Sequence, residues 1–136
     1  MGLGMVSAGS GVVARTPLAL DVIMASIGLP HDGLVLREKS LGGSETEAIH
    51  IARCLAARGH HVMVFAPLPE RPGPVPRVID GVAWAPLEAF SQHVMATPHD
   101  VTVVSRDLNL LRAPANSPMK FLWCHDLAIK RMRHVV

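Results

Sequence analysis

Aromatic and charged residues are both scarce in this chain. The sequence has no tyrosine, and its five phenylalanine and tryptophan residues make up only 4% of 136 residues. Single-stranded nucleic acids are usually bound by stacking on aromatic side chains, and that platform is missing. Thirteen Lys and Arg against eleven Asp and Glu leave a formal net charge of only +2. We therefore expect no nucleic-acid partner.

Cysteines and long apolar runs are also few. The two cysteines, Cys54 and Cys124, form no CxxC pair and no disulfide framework, which favours a reducing cytoplasm as the location. The apolar start of the chain lacks the positive charge of a signal peptide. The longest mostly apolar run, residues 18–29, contains Asp21 and is too short to cross a bilayer. We expect no transmembrane segment.

Aliphatic residues dominate what the sequence does contain. Hydrophobic residues make up 49% of the chain and the mean hydropathy is +0.31, which excludes a disordered chain. The length corresponds to one domain or to a piece of a larger one. So high a mean hydropathy indicates that some apolar surface is covered by a partner.

Alternating apolar and turn-rich segments predict an α/β fold with a parallel sheet. Continuous apolar runs typical of buried strands occupy four segments, residues 22–27, 61–66, 100–105 and 120–123, and a weaker run covers residues 81–87. Five prolines between residues 67 and 76 predict a loop.

Helices are predicted between these strands. Ser44 and Glu47 match a capping box, and Gly59 supplies a C-terminal stop, so a helix is expected over residues 44–58. The spacing of its apolar residues predicts a buried face formed by Ala48, Ile51, Ala52 and Leu55. A shorter helix is expected over residues 87–96, and residues 127–133 resemble the start of another.

Two glycines precede the first helix, at the edge where parallel sheets bind ligands. Gly42 and Gly43 would let an anion approach free backbone amides at the helix N-terminus. A tight loop with an ordinary cap explains the same residues. Arg106, after the strand over residues 100–105, is either a phosphate or carboxylate ligand or a solvated loop arginine.

The sequence Cys124-His125-Asp126 follows the last predicted strand. His125 in that place can donate a hydrogen bond to a substrate hydroxyl, with Asp126 orienting it, or can be bonded locally in a loop. Adjacent strand residues point to opposite faces, so Cys124 and His125 converge poorly on a metal ion, and no metal site is predicted. Cys54 and Cys124 are expected to be small buried groups.

A second glycine motif lies near the chain start. Gly9, Gly11 and Ala14 match G-x-G-x-x-A, but a dinucleotide site needs a preceding strand and a following helix. Few apolar residues precede the motif, and Pro17 shortens any helix after it. A dinucleotide-binding oxidoreductase fragment is therefore the weaker alternative. His60 and His61, between helix and strand, are interpreted as structural.

The stretches LGGSETEAIHIARCLAARGHHVMVFAP, DVTVVSR and FLWCHD, in this order, resemble the N-terminal domain of family 4 glycosyltransferases. The resemblance covers about residues 22–136. It implies a Rossmann-like three-layer domain with a parallel sheet, one half of a GT-B architecture in which two such domains face each other across a cleft. The implied reaction transfers a sugar from a nucleotide-sugar to an acceptor, without a metal ion or other cofactor.

The resemblance also implies a set of site residues. By position, the two glycines match the loop that approaches the donor diphosphate, and the histidine matches one near the transferred sugar. The implied catalytic residues are His125 and Asp126, and the implied donor-binding residues are Gly42, Gly43, Ser44, Glu45 and Arg106.

The chain departs from the family pattern in two places. Residues 1–21 precede the first strand as an N-terminal extension. The second domain, which carries the E-x7-E motif that holds the donor, has no counterpart here. The resemblance therefore implies an incomplete domain, inactive alone, that associates with itself or with the missing domain. The alternative is a non-catalytic module that binds a small ligand or regulates a partner.

Overall fold

A computed structural model describes residues 18–112 and 114–124. The strands are β1 (Asp21–Ala25), β2 (His61–Ala66), β3 (Arg77–Ile79), β4 (Val82–Pro86), β5 (Val101–Ser105) and β6 (Met119–Trp123). The helices are α1 (Gly43–Ala57), α2 (Phe90–Ala96) and α3 (Leu108–Leu111), with 3₁₀ turns at Val35–Arg37 and Leu87–Ala89. No helix in this part of the chain is long and apolar enough to cross a membrane.

The six strands form one mixed sheet in the order β3-β4-β2-β1-β5-β6. Every neighbouring pair is parallel except β3–β4, which is antiparallel. The predicted α/β fold is thus confirmed, but the sheet is mixed rather than wholly parallel. β3 was not predicted, because it has only three residues and follows the proline-rich loop.

The predicted strand boundaries are close to the observed ones. β2 spans the predicted residues, whereas β1 begins at Asp21 and ends at Ala25 rather than running from residue 22 to 27. The Asp21 amide donates to the Asp100 carboxylate at 2.7 Å, which ties the starts of β1 and β5 together. After Ala25, the Ser26 amide still donates to the Phe65 carbonyl at 2.8 Å, and the Ser26 hydroxyl hydrogen-bonds to His31.

Helices cover both faces of the sheet. Met24 and Val64 face α1, where they pack with Ile49 in one apolar cluster. Alternate residues point to the opposite face, where Phe65 packs edge-to-face on Phe90 of α2 with ring centroids 5.7 Å apart. The domain therefore has three layers, helix, sheet and helix.

The N-terminus of α1 differs from the prediction. The N-cap is Gly42, which has no side chain to cap with, and the Ser44 hydroxyl donates to the Glu45 carboxylate at 3.0 Å. The predicted capping box of Ser44 with Glu47 is therefore wrong. The predicted stop is confirmed, since Gly59 has a φ of 95° and donates to the Ala56 carbonyl at 3.0 Å.

The buried face of α1 is also rotated from its predicted position. Ala48 and Ala52 are buried as expected, but Ile49 is buried in place of Ile51, which is 44% exposed. Glu45 explains the rotation, because its buried carboxylate bonds to the Leu29 amide and fixes which side of the helix turns inward.

Both cysteines are exposed, so their predicted burial is wrong. Cys54 lies away from the inward face of α1 described above. Cys124 follows β6 directly and lies at the end of the described chain.

Candidate functional site

The carboxyl ends of the parallel strands meet at one edge of the sheet. β1 and β5 are neighbours in the middle of the sheet, and the chain leaves them in opposite directions, toward β2 and toward β6. The intervening helices α1 and α3 lie on opposite faces. In open α/β sheets such a reversal opens a crevice, which is where ligands bind.

The N-terminus of α1 opens at this edge. A Cβ at Gly43 would meet no heavy atom within 4 Å, so the first residue of the helix faces open space. Gly42 is closely packed instead, because a Cβ there would lie 2.8 Å from Glu45 Oε1. Of the two predicted glycines, Gly43 keeps the amides accessible and Gly42 makes room for a neighbouring side chain.

Glu45 lies beneath the glycine loop. Only 6% of the residue is exposed, and its Oε2 accepts a hydrogen bond from the Leu29 amide at 2.9 Å. Burial alone would raise the pKa of this carboxyl, but hydrogen bonds from the Leu29 amide, its own amide and the Ser44 hydroxyl hold the pKa below its ordinary value. Gly28, with a φ of 129°, has no room for a Cβ against the same carboxylate. Glu45 thus connects the loop after β1 to α1.

Arg106 extends from the end of β5 toward α1. Its Nη1 donates to the Ser44 hydroxyl at 3.3 Å, and its backbone amide donates to the Trp123 carbonyl at 3.1 Å. Its φ of 69° is left-handed, a conformation that non-glycine residues adopt at some energetic cost and often at binding sites. All five predicted donor-binding residues thus lie close together.

Ser105 adds a polar group that the sequence did not single out. It is 2% exposed, and its hydroxyl has no hydrogen-bond partner in the described part of the chain. Val103, two residues earlier in β5, packs in the cluster on the α1 face. Because side chains alternate along a strand, the Ser105 hydroxyl points to that same face, at the strand end where α1 begins.

The loop after β1 carries a buried polar network. His31 is fully buried, and its Nδ1 must donate because it faces the Leu29 carbonyl, so its Nε2 accepts from the Ser26 hydroxyl at 2.8 Å. Burial lowers the pKa of His31, although the Leu29 carbonyl and the charges of Glu45 and Asp32 oppose this effect. His31 is therefore neutral and positions the loop.

Asp32 anchors the proline-rich loop to the same place. It is fully buried, and ion pairs join it to Arg71 at 2.7 Å and Arg77 at 3.0 Å. Burial would raise the pKa of Asp32, but the hydrogen bonds from Arg71, Leu34 and Arg77 outweigh it and lower the pKa. The sequence analysis predicted only a loop for the proline-rich segment. The available signal was the adjacent pair His31 and Asp32 in the loop that follows β1.

The remaining predicted site residues lie outside the described residues. His125 and Asp126 follow Cys124, the last described residue, and Gly9, Gly11 and Ala14 precede the first. Their placement stays a prediction.

His60 and His61, which were interpreted as structural, lie at the other edge of the sheet. Nδ1 of His60 accepts from the Leu20 amide at 3.1 Å, at the amino end of the strands. His61 lines a pocket of about 380 Å³ at that same end, together with His93 and His99. Within residues 18–112 and 114–124, no group of three or more potential ligand side chains could hold a metal ion.

Comparisons with family models, with curated proteins and with solved structures find no match to this chain. The site is therefore interpreted from its own residues.

Proposed function

We propose that the chain is the acceptor-side, Rossmann-like domain of a family 4, GT-B glycosyltransferase. In a complete enzyme it would act in the transfer of a sugar from a nucleotide-sugar to an acceptor. The observation that carries the proposal is the contact between Arg106 and the Ser44 hydroxyl, which brings a cation to the first turn of α1, where a Cβ at Gly43 would meet no heavy atom within 4 Å. A donor diphosphate needs both features, free backbone amides at a helix N-terminus and a cation nearby.

The strand order supports the same proposal. When only the parallel strands are counted along the chain, β4-β2-β1-β5-β6 corresponds to the order 3-2-1-4-5. That is the order of a Rossmann-type sheet, in which the reversal between strands 1 and 4 forms the binding crevice. β3 is an antiparallel addition at the edge.

The proposal assigns a role to each residue. The amides of Gly43 and Ser44 receive the diphosphate, and Arg106 balances its charge. Glu45 is a positioning residue, because its buried carboxylate holds the loop from below. His125 and Asp126, which follow β6 in the sequence, contact the transferred sugar.

A nucleotide-sugar titration of the ¹⁵N-labelled chain tests the proposal. UDP-, GDP- and ADP-sugars should shift the amide signals of residues 42–45 and of Arg106. Gly43→Val should abolish the shifts and leave the fold intact, because a side chain there points into open space but covers the amides. Shifts at other residues, or unchanged binding by Gly43→Val, would indicate that the glycine loop is only a helix cap and not a ligand site.

NADH serves as the control ligand in the same titration. Saturable binding of NADH, rather than of a nucleotide-sugar, would favour the dinucleotide-binding alternative based on Gly9 and Gly11. The non-catalytic module predicts ligand binding but no sugar transfer, even after the chain is joined to a donor-binding domain.

A further inference from the structure

A pocket at the carboxyl edge lies beside the proposed donor site and shares Arg106 with it. It lies between the end of β1 and the segment from β5 into α3, and its volume is about 370 Å³, which suits a small molecule. The residues that line it are Ile27, Arg106, Asp107, Leu108, Asn109 and Arg112. β1 and β5 are neighbours, and the chain continues from them toward opposite sides of the sheet. This pocket therefore lies in the crevice where the strand order reverses.

Two arginines and one aspartate carry the charged groups of the pocket. Arg106 and Arg112 line it together with Asp107. That carboxylate is engaged, since its Oδ1 accepts from the Asn109 amide at 2.9 Å at the start of α3. Arg112 is exposed and forms no ion pair with any residue of the described chain.

A neighbouring pocket shows the contrast. It lies over the ends of β2 and β4, and Arg71 and Arg77 are among the residues that line it. Both arginines are already paired with Asp32, and Arg71 also with Glu38 at 2.7 Å, so that pocket offers no unneutralised guanidinium from them. The crevice beside α3 is the one of the two that can attract an anion.

We infer that the crevice beside α3 binds an oxyanion, a phosphate or a carboxylate, carried by a small acceptor molecule. Arg112 supplies the principal cation, and Arg106 lies between this pocket and the N-terminus of α1. The role as an acceptor site rests on the proposed function, whereas the binding of an oxyanion does not. An acceptor seated here lies next to the proposed donor diphosphate, since Arg106 reaches Ser44 at 3.3 Å.

The test uses the complete ¹⁵N-labelled chain and two simple anions. Inorganic phosphate and acetate are titrated separately at constant ionic strength, with chloride as the reference. Saturable shifts are expected at the amides of Ile27, Asn109 and Arg112, with at least one of the two anions. The tighter anion identifies whether the acceptor carries phosphate or carboxylate.

Matched variants separate this pocket from general charge effects. Arg112→Gln should weaken binding about tenfold or more, the usual loss for a hydrogen bond to a charged group. Arg58→Gln removes an equally exposed arginine from the C-terminus of α1, at the opposite edge of the sheet, and should leave the affinity unchanged. Because both side chains are exposed, both variants should keep the wild-type spectrum.

The outcomes for the two sites are distinguishable. Shifts limited to residues 42–45 that disappear in Gly43→Val but persist in Arg112→Gln would place the anion at the α1 N-terminus and overturn this inference. Shifts that do not saturate, or that chloride reproduces, would overturn it as well. Shifts at Ile27 and Asn109 without any nucleotide-sugar binding would support the oxyanion pocket and contradict the proposed function.

Discussion

At the scale of single residues, Gly42 and Gly43 at the start of α1 are glycines for different physical reasons. Gly42 is needed because Glu45 Oε1 occupies the space where a Cβ would lie, 2.8 Å away. Gly43 has no such neighbour, so the fold does not require a glycine there. Stability therefore does not account for a glycine at position 43. A ligand that approaches the N-terminus of α1 would account for it.

Alanine substitutions should separate these two reasons. Gly42→Ala should destabilise the fold by about 1–3 kcal/mol, because the Glu45 carboxylate must give up a hydrogen bond to make room. Gly43→Ala should stabilise it by about 0.4–1 kcal/mol, because the unfolded chain loses conformational freedom and nothing clashes. Urea denaturation of both variants measures the difference. Equal effects at the two positions would contradict this account.

Glu45 should make stability depend on pH in the acid range. The pKa of the Glu45 carboxyl is lower in the folded chain than in the unfolded chain. Its contribution to stability is therefore complete above about pH 4.3, the ordinary pKa of a glutamate, and is lost as the pH falls through the pKa of the folded state. Glu45→Gln should cost about 1–3 kcal/mol at neutral pH, and the gap to wild type should narrow in acid. Urea midpoints between neutral pH and about pH 3 measure this. The exposed Glu70→Gln is the control, and a gap that stays constant with pH would refute the assignment.

His125 gives the sharpest test of the catalytic prediction. If it hydrogen-bonds a sugar hydroxyl in the transition state, His125→Ala should lower turnover about 100-fold with a smaller effect on donor affinity. Turnover and melting temperature are measured together in a form joined to a donor-binding domain. Full turnover with a lowered melting temperature would mean that the histidine is structural.

The elements at the carboxyl edge are joined by one buried carboxylate. Asp32 lies in the loop after β1, Arg71 in the proline-rich loop, and Arg77 in β3, so a single group holds three segments together. This explains how a loop with five prolines keeps a defined position without regular hydrogen bonding.

Removal of that carboxylate should release the proline-rich loop. Asp32→Asn should cost roughly 3 kcal/mol, the lower end of the range for a broken buried pair, because both arginines keep some contact with water. Glu38→Gln removes an exposed partner of Arg71 and should have little effect on stability. Urea denaturation and hydrogen exchange of residues 67–77 measure both. A stable Asp32→Asn variant with a protected loop would rule out this role.

The whole molecule leaves an apolar sheet edge exposed in its described part. β6 pairs with β5 on one side, and its Met119 and Phe121 are 42% and 52% exposed. Such an edge is able to pair with another chain. The expectation from mean hydropathy that some apolar surface needs a partner stays a prediction.

The chain should therefore associate with itself through β6. Sedimentation velocity should detect concentration-dependent dimers that bind an apolar dye, and Phe121→Lys should reduce both signals. Val78→Lys is the matched control, since Val78 is 71% exposed on β3 at the other edge of the sheet. A strict monomer at all concentrations, or equal effects of the two variants, would contradict the assignment to β6.

The sequence by itself determined five of the six strands and the parallel direction of the four strongest, but not β3. Continuous apolar runs such as residues 61–66 are required where both faces of a strand are covered, so they identify buried parallel strands without knowledge of their neighbours. Gly59 likewise marked the end of α1. These signals are local, because each depends on the backbone and solvent exposure of its own segment.

The tertiary structure decided the features that depend on contacts between residues far apart in the sequence. The inward face of α1 is set by the bond between Glu45 and Leu29, which lie 16 residues apart, so helical spacing alone chose Ile51 wrongly. The ion pairs of Asp32 join residues up to 45 positions apart, and the contact of Arg106 with Ser44 spans 62. The local sequence pattern does not indicate such contacts. The contacts form only when the order of the strands in the sheet brings the strand ends together.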